Sequence, residues 1–278
     1  MLRSIFRRER GIAHSAVILA VLAKLAVSAP VNSGVSITHH ANNTLVSLVS
    51  NPSAAQVTSS QAFSSGAGNT NNANIYDGTG TGGSDTYNCY YGSWENYPPS
   101  SEWIEFDDMF NQYKPVMAQG CGNLGLSPED TGEQIGQIWN AIQQVAQASL
   151  VDHRYILATI MQESIGCVHV GSTSNGVTNP GIMQSHDGSS FVGNGASQSD
   201  QQTSITQMVI DGTQGTSSGD GLVQGINDYG NIYEAARYYN SGSVNSGNLN
   251  DGLGATASYV NDIANRMTGW VYAASRSC

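Results

Sequence analysis

Ile156-Leu-Ala-Thr-Ile-Met-Gln-Glu-Ser-Ile-Gly166 is the stretch on which the reading of this chain turns. Its apolar residues recur at helical spacing. Asp152 stands ahead of it as an N-cap and Gly166 behind it as a terminator, which together predict a helix over 153–165. Upstream, Ile135, Ile138, Trp139, Ile142 and Val145 recur at spacings of three and four and form one apolar stripe. Ser127-Pro128 offers a start signal for that helix, Ser as cap and Pro at the first helical position. Shorter helices are expected near 204–211, 231–240 and 255–268, separated by Gly-rich loops. All four Trp and all four Cys lie from Tyr87 onward, and roughly 190 residues suffice to bury one sizeable core. The expected fold class is mainly α: a disulfide-stapled helical domain over 87–278.

The rest of the chain is read by composition. Residues 30–86 run through stretches such as SSGAGNTNNANIYDGTGTGGSD, too poor in aromatic and β-branched residues to offset the entropy of ordering them. They read as a flexible low-complexity segment, with an acceptable N-glycosylation sequon at Asn42. Residues 1–29 carry Arg3, Arg7, Arg8 and Arg10, then an apolar run from Ala16 to Ala26, then small residues. That is the order of a secretory signal peptide, and the apolar run is shorter than the ~20 residues needed to span a bilayer. From residue 30 onward 5 basic residues face 20 acidic ones, a net charge near −15. Such a chain is poorly suited to nucleic acid or anionic membranes. Cys89, Cys121, Cys167 and Cys278 include no close-set pair of metal-site spacing. Two disulfides in an oxidising compartment is their natural reading, with three connectivities open. The expectation is a secreted, extracellular monomer with no metal and no cofactor.

Chemistry concentrates on Glu163, at the end of an otherwise apolar helix and facing a Gly-rich loop. Desolvation and the negative end of the helix dipole both raise the pKa of a carboxyl placed there, keeping it protonated as a general acid must be. A solvated Glu on a helix end is the plainer reading of the residue alone. Two further segments follow it: Asn179-Pro-Gly-Ile-Met-Gln-Ser185, and Tyr238-Tyr-Asn-Ser-Gly242.

Glu-Ser-x-Gly, Gly-Ile-Met-Gln and Tyr-Asn-x-Gly, in this order over about 80 residues, resemble the soluble lytic transglycosylase and goose-type lysozyme family. The likeness extends more loosely from about Trp139 to Trp270 and is nearest to secreted fungal members. Ser241 and Tyr238 depart from it, standing where Ala is usual. The resemblance implies a lysozyme-like helical fold and Glu163 as the catalytic acid. It implies that Gly181, Ile182, Met183 and Gln184 form a wall of the sugar cleft, and that Tyr239 orients Glu163. It also implies that Asn240 hydrogen-bonds a sugar N-acetyl group. Ser164 is expected to serve as a hydrogen-bonding residue beside Glu163, since no nucleophile elbow surrounds it.

Breaking a glycosidic bond requires proton donation to the leaving oxygen, and inverting hydrolysis adds a second carboxylate to activate water. Asp187, which follows the second motif, reads equally as that base or as an Asp-Gly turn residue. His169 and His186 read as loop histidines. Glu102, Glu105, Asp107 and Asp108 read as the acidic first turn of a helix. Three functions fit: a muramidase cleaving the glycan strands of peptidoglycan by hydrolysis or transglycosylation, a hydrolase of chitin oligosaccharides, and a catalytically silent glycan-binding protein. In each the partner is a polysaccharide.

Overall fold

The computed structural model describes residues 55–78, 84–174 and 176–278; the expected signal segment 1–29 and the sequon at Asn42 lie outside them. In chain order the helices are α1 (Ser60–Ser65), α2 (Phe106–Met117), α3 (Gly120–Asn123), α4 (Gly132–Ser149) and α5 (His153–Ser164). A small antiparallel hairpin follows, β1 (Thr173–Ser174) with β2 (Thr178–Asn179), in the register Thr173 to Asn179. Then come α6 (Gln198–Gln214), α7 (Leu222–Tyr229), α8 (Ile232–Ser241) and α9 (Tyr259–Met267). The described body is therefore mainly helical, as its sequence periodicity requires.

Helix α5 occupies the centre, packed by α4, α9 and α2. Asp152 caps it, accepting from the Arg154 N–H at 2.9 Å, and the same carboxylate grips the Arg154 guanidinium at 2.9 and 2.7 Å. Every residue of α5 is buried except Glu163. Ile165, rather than Gly166, takes the first left-handed position after the helix, with φ 57°. Gly166 follows at φ 78°, where a Cβ would stand 2.5 Å from Met117 Cγ; only glycine fits. Helix α4 begins at Gly132, where Thr131 and Gln134 form a reciprocal capping box. Ser127-Pro128, expected to start it, lies upstream in a bend. Of the four acids expected to form a helix's first turn, Asp107 and Asp108 do so in α2; Glu105 is its N-cap, and Glu102 lies in a separate 3-10 turn upstream.

The reading of 30–86 as flexible does not hold for 55–78. Val57, Ala62, Ala67 and Asn72 are buried in the common core. Asn72 Nδ2 donates to the carbonyls of Asn69, Ala146 and Val151, while its Oδ1 accepts from His153 N–H. Asp77 then meets His153 Nε2 at 2.7 Å and accepts from Phe106 N–H. A low-complexity composition can be ordered when its amides satisfy buried backbone groups of another segment.

Two disulfides close the body, Cys121 to Cys167 and Cys89 to Cys278. The first ties α3 to the loop after α5; the second pins the C-terminus. Two bridges fit an extracellular protein, and no helix among the described residues is long and apolar enough to cross a membrane.

Asn72→Ala leaves the Val151 carbonyl and the His153 N–H short of a partner inside the core, while the Ala146 carbonyl keeps the Leu150 N–H. Each orphaned buried group costs about 1–3 kcal/mol, so the variant should lose at least ~2 kcal/mol in urea unfolding. A loss below about 0.5 kcal/mol, the range of neutral surface changes, would mean that residues 55–78 do not pack as described.

Candidate active site

Three segments far apart in sequence meet at the C-terminal end of α5, and two hydrogen bonds hold them. Ser164 Oγ donates to the Ile182 carbonyl at 2.8 Å, with the Ile160 carbonyl at 3.1 Å as its in-helix alternative. Tyr239, on α8, donates its hydroxyl to the Met183 carbonyl at 2.7 Å. Consecutive carbonyls of the Gly181–Gln184 segment thus accept one bond from α5 and one from α8. The three motifs read in the sequence converge on one place.

The Gly181–Gln184 segment is internally rigid. Gly181 adopts φ 78° and a Cβ there would lie 2.5 Å from the Ser189 carbonyl oxygen. Ile182 and Met183 are fully buried. Gln184 accepts from Thr173 Oγ1 at 2.9 Å and donates to the carbonyls of Gly171 and Gly181. Its amide therefore braces the loop against the hairpin. These side chains turn inward and fix the segment's main chain.

Glu163 is the one residue of α5 that is not buried, so its carboxyl is where the central helix reaches solvent. Tyr259, at the start of α9, donates its hydroxyl to Glu163 Oε1 at 2.5 Å. Desolvation lifts the carboxyl from 4.5 to about 7, and the Tyr259 hydrogen bond opposes part of that rise. Tyr155, Tyr239 and Tyr259 all ionise well above the ordinary tyrosine range, burial first and the charge of Glu163 next. Glu163 is thus ringed by neutral phenols. The Tyr155 hydroxyl is buried with no hydrogen-bond partner among the described residues.

The hydroxyl that hydrogen-bonds Glu163 belongs to Tyr259, while that of Tyr239 donates to the Met183 carbonyl. Tyr239 thereby braces the Gly181–Gln184 segment. Nothing local marks Tyr259, which lies 96 residues from its partner. Asn240 is buried, and its Oδ1 accepts from Arg237 at 3.0 Å. That bond fixes the amide orientation. Arg237 is itself held by the carbonyls of Leu249, Thr256 and Ala257.

Asp187 sits in a turn at φ 49°, its N–H donating to the Thr178 carbonyl at 2.8 Å. Its side chain is 52% exposed and lies 3.6 Å from His186 Nε2. His169 packs edge-on against Phe191. Cys121, Asp130 and Cys167 lie within ligand distance of one another, but the two sulfurs are bonded together and supply no thiolates. The Cys121–Cys167 bridge instead steadies the chain four residues beyond Glu163.

No family model, curated protein or solved structure matches the chain.

Tyr259→Phe tests the electrostatics of the site. It removes the donor that favours the ionised carboxylate, so the Glu163 pKa should climb above about 7. Carboxyl-carbon NMR titration of the parent and the variant reads this directly. A midpoint that falls, or does not move, would show that the Tyr259 bond does not act on Glu163.

Proposed function

We propose that the chain is a glycosidase that cleaves the β-1,4 linkage of peptidoglycan strands, with Glu163 as general acid. One observation carries the reading. A single residue of the central helix is not fully buried, that residue is a carboxyl whose pKa is raised to about 7, and the other two glycosidase-like motifs are bonded into place around it. A solvated Glu on a helix surface would have neither the raised pKa nor the converging segments.

In this mechanism the Glu163 proton passes to the glycosidic oxygen as the bond to the anomeric carbon breaks and positive charge spreads over the sugar ring. Tyr259 has the opposite preference from burial: it stabilises the carboxylate that forms. The proton is therefore held in the ground state by desolvation and released with a hydrogen bond already in place. The wall Gly181–Gln184, braced by Ser164 and Tyr239, lines the cleft, and Asn240 faces an N-acetyl group. Two nucleophiles complete the reaction. Water activated by Asp187 gives a reducing end. The substrate's own 6-hydroxyl, with its proton returned to Glu163, gives an anhydro end and needs no second carboxylate. The turn conformation of Asp187 suits the second route; its exposure to solvent keeps the first open.

Glu163→Gln keeps the shape and removes the proton, so turnover should fall by ~10²–10⁴. Stability should move the other way. Because the folded carboxyl holds its proton up to about pH 7, its stabilising contribution is complete below about 4.5 and is lost as pH rises through 7. The variant escapes that loss. It should match the parent at about pH 4 and exceed it by about 1–3 kcal/mol at about pH 8. Thermal unfolding at the two pH values checks the sign; wild-type turnover in Glu163→Gln would remove the proposal.

Asp187→Asn separates the two routes. Mass spectrometry of products from purified peptidoglycan and from chitin oligomers distinguishes anhydro ends, reducing ends and no cleavage. Strong loss of reducing-end products in the variant assigns Asp187 as base. Unchanged anhydro products assign transglycosylation. Cleavage of chitin alone moves the substrate to that polymer, and no cleavage of either leaves a binding protein.

A further inference from the structure

A cavity of about 320 Å³ lies between α5, α9 and the C-terminal segment that follows α9. Its lining includes Gln162, Ile165, Asp262, Arg266, Trp270 and Arg276. Of the five basic residues from residue 30 onward, two line this one cavity. Against the net charge near −15 of the residues from 30 onward, that is a local reversal of sign.

Arg266 is the informative member. Three arginines are buried in the body, Arg154, Arg237 and Arg266, at 5%, 0% and 6% exposure. Arg154 is neutralised by Asp152 and Asp77. Arg237 directs its N–H groups to three carbonyls and the Asn240 amide oxygen. Arg266 has neither. Its Nε donates to Gln162 Oε1 at 3.1 Å and one terminal nitrogen to Tyr113 Oη at 3.3 Å. A guanidinium carries five N–H donors, so most of the fork has no acceptor among the described residues, and no carboxylate pairs with it there. Its guanidinium carbon lies over the Trp270 ring, 4.7 Å from the centroid. The neighbouring Asp262 carboxylate is already engaged by Tyr87, Gln162 and Ser258. Gln162 bridges it to Arg266, whose charge still acts on the Asp262 carboxyl.

The walls are fixed before anything binds. Asp85 accepts from the N–H groups of Val271, Tyr272 and Ala273, and Cys278 is bonded to Cys89. The site is thus a preformed concavity at the small end of the ~300–1,000 Å³ range of ligand pockets. It offers a planar donor fork, a second cation and an apolar floor of Ile165 and Trp270. A carboxylate matches a guanidinium fork in bidentate geometry, and the volume suits an amino-acid-sized group rather than a sugar chain. Gln162 directly precedes Glu163, and Ser258, also on the lining, directly precedes Tyr259.

We propose that this cavity binds a carboxylate on the short peptide substituent of the glycan, anchored by Arg266 and Arg276. The assignment rests on the glycosidase reading and selects peptidoglycan within it, because chitin carries no carboxylate.

The test is calorimetric titration of Glu163→Gln protein with N-acetylmuramyl-L-alanyl-D-isoglutamine, with the same compound amidated at its free carboxylate, and with chitotriose. The acid should bind about tenfold tighter than the amide, the scale of a charge-assisted bidentate contact. Adding Arg276→Gln, an exposed change, should cut that preference several-fold. Adding Arg266→Gln should abolish it, with circular dichroism confirming the fold. If Arg266→Gln does not fold, Arg276→Gln and the loss of preference in high salt carry the test. Equal affinity of acid and amide, no binding of either, or a preference untouched by the arginine changes and by salt would overturn the site. Parent-enzyme products keep the two readings apart. Cleavage of peptidoglycan with no acid preference removes the cavity and leaves the activity. Acid preference without cleavage of peptidoglycan does the reverse.

Discussion

Burying a helix on every side requires partners inside for the polar groups it carries; α5 meets that requirement at every polar side chain but the Tyr155 hydroxyl, and so shapes the whole molecule. His153 is met by Gln143 and Asp77. Arg154 is met by Asp152. Thr159 turns back to the Tyr155 carbonyl, Gln162 bridges Asp262 and Arg266, and Ser164 reaches the Ile182 carbonyl. Apart from the Thr159 bond and the Asp152 cap, these partners lie on other segments, so satisfying one helix recruits several other elements. Glu163 is the one residue of the helix that the arrangement leaves unburied. It is given one hydrogen bond and an opening, and its chemistry follows from that deficit.

The same constraint explains how a chain with so few charges holds together. Among the described residues the ion pairs involve only Asp77, Asp152, Asp187 and their His and Arg partners. Amides take the place of salt bridges. Along the seam between α4 and α6, Gln134 donates to Asn194 and Gln201, Gln137 to Gln198, and Gln202 to the Gln137 carbonyl. Neutral amides are cheaper to desolvate than ions and are insensitive to pH and salt. A surface otherwise dominated by carboxylates can then change its protonation without disturbing the helix contacts beneath.

What the sequence made legible was local, and what it hid was distant. The Asp152 cap, the apolar run behind it and the stripe on α4 are short-range signals, and they place those helices within a few residues. Thr131 and Gln134 form an equally local signal, but the adjacent Ser-Pro pair competes with it and shifts the expected start of α4. The motifs around Glu163, Gly181 and Tyr239 are visible as an order of short words. That Ser164 and Tyr239 bond to consecutive carbonyls is not. Tyr259 escapes because its partner is far along the chain, and composition around it resembles any other amphipathic helix. Residues 55–78 escape for the same reason. Asn72 and Asp77 look like linker residues until Ala146, Val151 and His153 are brought beside them. The even cysteine count suggested two bridges, while their pairing required the fold.

The Cys89–Cys278 bridge spans a sequence separation of 189 residues, so nearly the whole helical body is a single covalent ring. A linear chain cut once in an exposed loop becomes two pieces that can diffuse apart. A ring cut once remains one piece, with new ends that stay within reach of each other. The Gly-rich connections between helices are the places a protease would enter. For a protein working among proteases, a first nick in such a connection leaves both halves of the site tethered. The ring makes survival depend on the second cut rather than the first.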